Sequence, residues 1–276
     1  MNKVLNTLIN IVKNIIKDDL TSLASEMAFN FILTISPFFI SLVAIFGLFS
    51  SYDVINHIIS FLSPIAPRDA LEILEKALMG INQTSPGSVL TLGFLGTMWA
   101  ISNATDVIIK GLNRTYKVKE TRPLWRTKGL AIFLVLITVL ILFIAINLII
   151  FTPIIINFLR NYIYIPTYLQ ILITLIRWPI TFFVLFTVIL LTYSFLPDIK
   201  EKKLKRMLVA IPGTLFFCIF WLVASWLFGI YTENFGKYNQ IYGALGAVII
   251  LIIWLYYTSL ILLIGGEINF EIYKKS

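Results

Sequence analysis

Two residue types that enzymes lean on are nearly missing from this chain. There is one cysteine, Cys218, and one histidine, His57. A single cysteine excludes an intrachain disulfide and any paired CxxC site. A single histidine excludes a His-rich metal centre, and no HExxH, P-loop or GxSxG pattern occurs. Charge is also scarce: 13% of residues are charged and 59% are hydrophobic. Soluble domains carry about 25% charged and about 45–50% apolar residues. The polar surface is too small to cover a soluble globule of 276 residues. The same figures exclude a disordered chain, and there is no glycine period of the collagen kind.

What is present is a set of long apolar runs. Six approach or exceed the roughly 20 residues that a helix needs to cross about 30 Å of hydrocarbon. They cover 24–49, 89–109, 129–151, 168–196, 208–231 and 241–268. The runs are continuous rather than alternating, which favours helices over a β-barrel. The expected fold is therefore all-α: a polytopic integral membrane bundle of six transmembrane helices in a single domain over 1–276. An interfacial helix occupies 1–20 and the bundle 21–271.

The net charge of +8 is distributed unevenly. Seventeen Lys and Arg residues fall in the N-terminal segment, the connections 110–128 and 200–206, and the tail. The other connections hold four: Arg68, Lys76, Arg160 and Lys237. This asymmetry predicts cytoplasmic N- and C-termini. It also gives the basic connections a sufficient role, that of meeting anionic lipid head groups at the cytoplasmic face. Membrane lipids are thus the expected partners. No module with aromatic stacking platforms accompanies the charge, so no nucleic-acid partner is expected. No spacing suggests a metal, a cofactor or catalytic residues, and the oligomeric state is left open.

Residues 3–17 place Val4, Leu5, Leu8, Ile9, Ile11, Val12, Ile15 and Ile16 on one helical face. Lys13, Asn14 and Lys17 fall on the other, as in an amphipathic helix lying in the interface. The apolar run is interrupted and no small-residue cleavage site follows, so it does not read as a secretory signal. The connection 50–88 reads as two further amphipathic helices punctuated by Pro64, Pro67, Pro86 and Gly87.

Charges at membrane depth are costly and mark interior or wet positions. Arg177 lies well inside the fourth run, beside Trp178 and Pro179. Asp106, Glu26 and Glu267 lie near the inner ends of the second, first and sixth runs. Together they form the candidate set for substrate binding or gating, with the in-span amides Asn30 and Asn147. The bland alternatives are a purely structural ion pair for Arg177, head-group contact for the acids, an Asp106–Lys110 pair one turn apart, and interhelical bonding for the amides. Pro37 should kink the first span.

Several stretches carry a resemblance. They include LASEMAFNFILTISPFFI at 23–40, GLNRTYKVKETRPLW at 111–125 and YSFLPD at 193–198. Two longer ones are IPGTLFFCIFWLVASWLFGIYTENF at 211–235 and YNQIYGALGAVIILIIWLYYTSLILLIGGEIN at 238–269. Over about 18–271 the chain resembles the YihY/BrkB family. Tyr116, Arg122, Pro123, Pro197, Asp198, Pro212, Gly213, Tyr238, Asn239, Tyr242, Gly243 and Glu267 carry most of the likeness. The resemblance implies a six-helix, multi-pass protein of the bacterial inner membrane. Members have borne the name ribonuclease BN, to which the residues here lend no support. The leading expectation is a transporter or flippase for a lipid or other anionic amphiphile. The alternatives are a non-catalytic scaffold for envelope-synthesis partners and, disfavoured, the ribonuclease of that name.

Overall fold

A computed structural model describes residues 2–48, 86–138, 140–141, 166–234 and 236–274. Seven helices occur among them. They are α1 (Asn2–Lys17), α2 (Leu20–Leu48), α3 (Pro86–Thr115), α4 (124–138), α5 (Thr167–Phe195), α6 (Lys203–Asn234) and α7 (Gly236–Tyr273). The expected helices of the 50–88 connection lie almost wholly outside the described residues, as do Asn147 and the end of the third run.

Among the described residues three helical stretches are long and apolar enough to cross a membrane: Thr91–Thr115, Lys203–Tyr231 and Val248–Tyr273. Large apolar side chains face outward along them, among them Trp99, Ile219, Phe220, Trp226, Ile249 and Ile252. In water such a surface would aggregate; hydrocarbon is its matching solvent. The chain is a helical membrane protein.

Two compact units are present, Phe29–Ala104 and the remainder, Met1–Ala28 with Thr105–Ser276. In the first, α2 continues through Pro37. The Thr97 hydroxyl donates to the Pro37 carbonyl at 2.9 Å, and the Thr34 hydroxyl to that of Ala100 at 3.2 Å. Asn30 lies on α2 in this unit, and its carbonyl also accepts from Thr34 at 2.8 Å.

In the second unit α6 packs against both α5 and α7, and α1 lies against α7. The core is built from Leu20, Met27, Leu112, Tyr193, Cys218 and Leu263, all buried. The closest approach is between α6 and α7. Pro212 has no N–H to give its own helix. The next residue turns its N–H outward, so that Gly213 donates to Asn269 Oδ1 at 2.6 Å. A Cβ on Gly213 would collide with the Gly265 carbonyl, and one on Gly265 with the Tyr193 hydroxyl. That hydroxyl donates to the Leu262 carbonyl at 2.7 Å. Higher up, Trp221 meets Trp254 edge-on at 5.8 Å and donates to Thr258 Oγ1 at 3.3 Å. Hydroxyls at Thr187, Thr192, Ser194, Thr214 and Ser259 donate to the carbonyl four residues earlier, which satisfies them without water.

Helix α1 shows three faces rather than the two expected. Ile11 is buried against the bundle, with Asn14 and Ile15 half-buried beside it. Ile9, Val12 and Ile16 are exposed on a second, apolar face, and Asn10, Lys13 and Lys17 on a third. The apolar side splits because the helix has both a protein and a lipid neighbour to satisfy.

The crossing predicts a sharp contrast between glycines. Gly213→Ala should destabilise the protein by about 2 kcal/mol, because the obstacle is backbone that cannot yield. Gly129, on α4, has open space where a Cβ would go; Gly129→Ala should be neutral or stabilising by up to about 1 kcal/mol. Thermal unfolding of the detergent-solubilised variants measures both.

Candidate functional site

The polar groups of the second unit gather where α3, α5 and α7 end. Helix α3 stops in a Schellman motif. Val118 N–H bonds the Asn113 carbonyl at 3.0 Å and Lys117 N–H the Arg114 carbonyl at 3.1 Å. Lys117 occupies the left-handed position with φ of 56°, where glycine is usual and a side chain costs about 1 kcal/mol. That conformation sends the lysine toward α1 and α7. It pairs with Asp18, lies 3.9 Å from Glu267 Oε1 and 5.7 Å from the Phe270 ring centre. Burial depresses the Lys117 pKa below the usual lysine range, and Glu267 works against that. The Asn14 amide donates to Glu267 from α1. Glu267 and Asn269 are fully buried, and Tyr116 reaches Asn269 from α3. Thus α1, α3 and α7 are tied at one junction.

A second set of contacts joins α3 to the end of α5. Arg122 grips Glu120 with two hydrogen bonds, Nε to Oε1 at 2.6 Å and Nη2 to Oε2 at 2.7 Å. The same guanidinium donates to the last carbonyls of α5, Leu196 at 2.6 Å and Phe195 at 3.3 Å. Asn113 serves both strands of the knot, donating to Glu120 at 2.8 Å and accepting from Asp198 N–H at 2.8 Å. Asp198 Oδ2 accepts from the Thr121 N–H and hydroxyl at 2.8 and 2.6 Å. Pro123 starts α4, its carbonyl accepting from Arg126 N–H at 2.9 Å. Buried Pro197 follows the stop of α5.

These bonds set the protonation of the loop. The Arg122 hydrogen bonds hold the Glu120 carboxyl below the usual carboxylate range. Glu120 in turn holds the Arg122 guanidinium above its usual value. Burial works to raise Asp198, but the Thr121 hydrogen bonds, with Arg122 and Lys200 nearby, outweigh it and leave the carboxyl lowered.

Beside the knot is a cavity of about 380 Å³, lined by Asp106, Ile109, Lys110, Asn113, Arg114, Val118, Glu120, Leu124 and Thr127. Its charges are largely matched: Asp106 pairs with Lys128, and Lys110 with both oxygens of Glu26 at 2.8 and 2.7 Å. The Asp106–Lys110 pair open to the sequence is replaced by these two longer-range pairs, because α4 and α2 each offer a nearer partner.

The sequence candidates are therefore distributed as follows. Asp106 lines the cavity, and Glu26 reaches its wall through Lys110. Glu267 belongs to the α1 junction. Asn30 is in the other unit. Arg177 is carried on α5, with its side chain outside the described residues; so are the side chains of Tyr238, Asn239 and Tyr242, and Gly243 beyond its helical backbone. Among the described residues no group of three or more His, Cys, Asp or Glu is placed to hold a metal ion. Sequence reasoning missed Lys117, Glu120, Thr121, Asn113 and Arg114. Their run, NRTYKVKETRP, signals only a basic connection until the chain folds back on α5.

Comparisons with known proteins agree that this is a membrane protein. A family model described as Virulence factor BrkB matches residues 11–276, and the chain belongs to that family. The ribonuclease-like protein YfkH of Bacillus subtilis is 29% identical over 256 residues, 92% of this chain and 90% of its own length. A UPF0761 membrane protein of Xanthomonas oryzae is 36% identical over 83 residues, 30% of this chain and 19% of its own. A Xanthomonas campestris UPF0761 protein matches to the same extent. No solved structure matches.

Both knot carboxyls are lowered on folding. Their stabilisation is fully present above the ordinary carboxyl pKa of about 4 and is lost as pH falls through the folded values below it. Acid unfolding followed by intrinsic fluorescence should show this loss. Arg122→Ala should cost about 2 kcal/mol at neutral pH and flatten that part of the acid profile.

Proposed function

We propose that this BrkB-family membrane protein is a transporter or flippase of a lipid or other anionic amphiphile in the bacterial inner membrane. In this reading six helices span the bilayer and both termini are cytoplasmic. The observation that carries it is the cavity at the end of α3. Charged residues and apolar ones, Ile109, Val118 and Leu124, share its walls. It stands next to an exposed Leu124 and Trp125, the residue types that anchor at a membrane interface. A ligand with a charged head and an apolar body fits such walls; a fully polar solute does not need them. Arg177, permanently ionised and deep in an apolar run, supplies the second polar station along the way.

A non-catalytic scaffold is the second reading. What favours it is the density of bonds joining α1, α3, α5 and α7, which suits a rigid platform. Both readings hold the protein to be no enzyme, in spite of the ribonuclease-like name of its Bacillus relative.

Vesicles containing the purified protein should move labelled anionic lipid between leaflets. Arg177→Ala should slow that movement at least about tenfold, since a neutral side chain offers an anionic head group no ion pair. A broad lipid panel with no movement, in protein that keeps its fold and tolerates Arg177→Ala, sinks the transport reading in favour of the scaffold. In a Cys218→Ala background, cysteines introduced at Lys13 and Lys200 should react with an impermeant reagent only from the cytoplasmic side. RNA incubated with the pure protein and a divalent cation should stay intact.

A further inference from the structure

The cavity beside α3 has one charge that its walls do not neutralise. Asp106 is held by Lys128, Glu120 by Arg122, and Lys110 by Glu26. Among the described residues the Arg114 guanidinium has no carboxylate within ion-pair distance. It stands exposed on the last turn of α3, one turn from Lys110 and on the cavity wall. Leu124 and Thr127, from the first turn of α4, complete the lining; the Arg126 and Thr127 amides of that turn already bond the Pro123 carbonyl. Asn113 bonds Glu120 and Asp198, so it is scaffold for the cavity.

We infer that the cavity is a binding site for a lipid-borne phosphate group, gripped by Arg114 from α3. An arginine fork matches two phosphate oxygens at once, which a lysine ammonium cannot do. The apolar members of the wall, Ile109, Val118 and Leu124, then run alongside the glycerol and upper acyl carbons. Trp125 and Leu124, exposed at the mouth, mark where the chains leave for the bilayer. Lys110 and Lys128 stay with their carboxylates and set the rim's charge. Phosphatidylcholine carries a phosphate too, but as a diester with a quaternary ammonium beside it; a phosphomonoester head group, as in phosphatidic acid, offers the Arg114 fork more charge and one more free oxygen.

This inference names the ligand of the site on which the transport reading rests, and the two are separable by experiment. Short-chain phosphatidic acid is titrated calorimetrically into the full-length protein in detergent. Phosphatidylcholine of the same chain length and glycerol 3-phosphate are the comparison arms. Phosphatidic acid should bind at least about tenfold more tightly than either. Arg114→Gln should lose about tenfold in affinity; Arg114 is exposed, so the variant should fold. Lys200→Gln, in another basic connection, should change nothing. Glycerol 3-phosphate binding as tightly as the lipid supports the phosphate chemistry and moves its source to a soluble ester. Equal binding of phosphatidylcholine, no binding at all, an unaffected Arg114→Gln, or an equal loss in Lys200→Gln overturns the inference. Lipid movement without Arg114-dependent binding overturns it and leaves the transport reading standing. Arg114-dependent binding without lipid movement does the reverse.

Discussion

A charged side chain at the end of an apolar helix has to be met, and in this protein the Arg122 guanidinium does most of the meeting. It binds a carboxylate through two nitrogens and closes the carbonyl end of α5 with the rest of its fork. Removing water from a helix terminus leaves carbonyls that need donors. One planar cation supplies them while also fixing the loop that follows α3. The loop wall of the cavity, with Val118 and Glu120, and the start of α4 depend on that loop lying where Arg122 holds it.

The α1 junction works by a different compromise. Lys117 accepts an unfavourable backbone conformation, and the return is a lysine side chain delivered to Asp18 and Glu267. A glycine at the same place would relax the backbone and abandon both acids. The glycines are instead spent where α6 crosses α7, at Gly213 and Gly265, where helix backbones meet with no room for a side chain. Residue choice at the two places follows from what is scarce locally: charge compensation at the first, space at the second.

Among the described residues the long apolar helices were legible from apolar runs, since the length of such runs is set by the bilayer. The run at 208–231 became α6 over Lys203–Asn234, and that at 241–268 became α7 over Gly236–Tyr273. The site was far less legible. Glu26, Asp106 and Glu267 stand out because each is an acid near an apolar stretch, yet their partners Lys110, Lys128, Asn14 and Lys117 are ordinary members of polar segments. Pairing between residues 22 to 253 positions apart leaves no local pattern to read. Family likeness pointed to Arg122, Pro123, Pro197 and Asp198; only their contacts explain why those residue types sit there.

The knot around Arg122 has two halves made at different times. Asn113, Glu120 and Arg122 leave the ribosome well before Phe195, Leu196 and Asp198, 73 to 85 positions downstream. Until α5 has been synthesised and packed, the earlier half has only its internal Arg122–Glu120 and Asn113–Glu120 bonds. The end of α3 therefore cannot reach its final form during its own insertion. Maturation of the cavity waits on a helix two elements later in the chain, and a nascent polypeptide truncated before α5 would carry the apolar runs and the basic loop without the contacts that hold the cavity in shape.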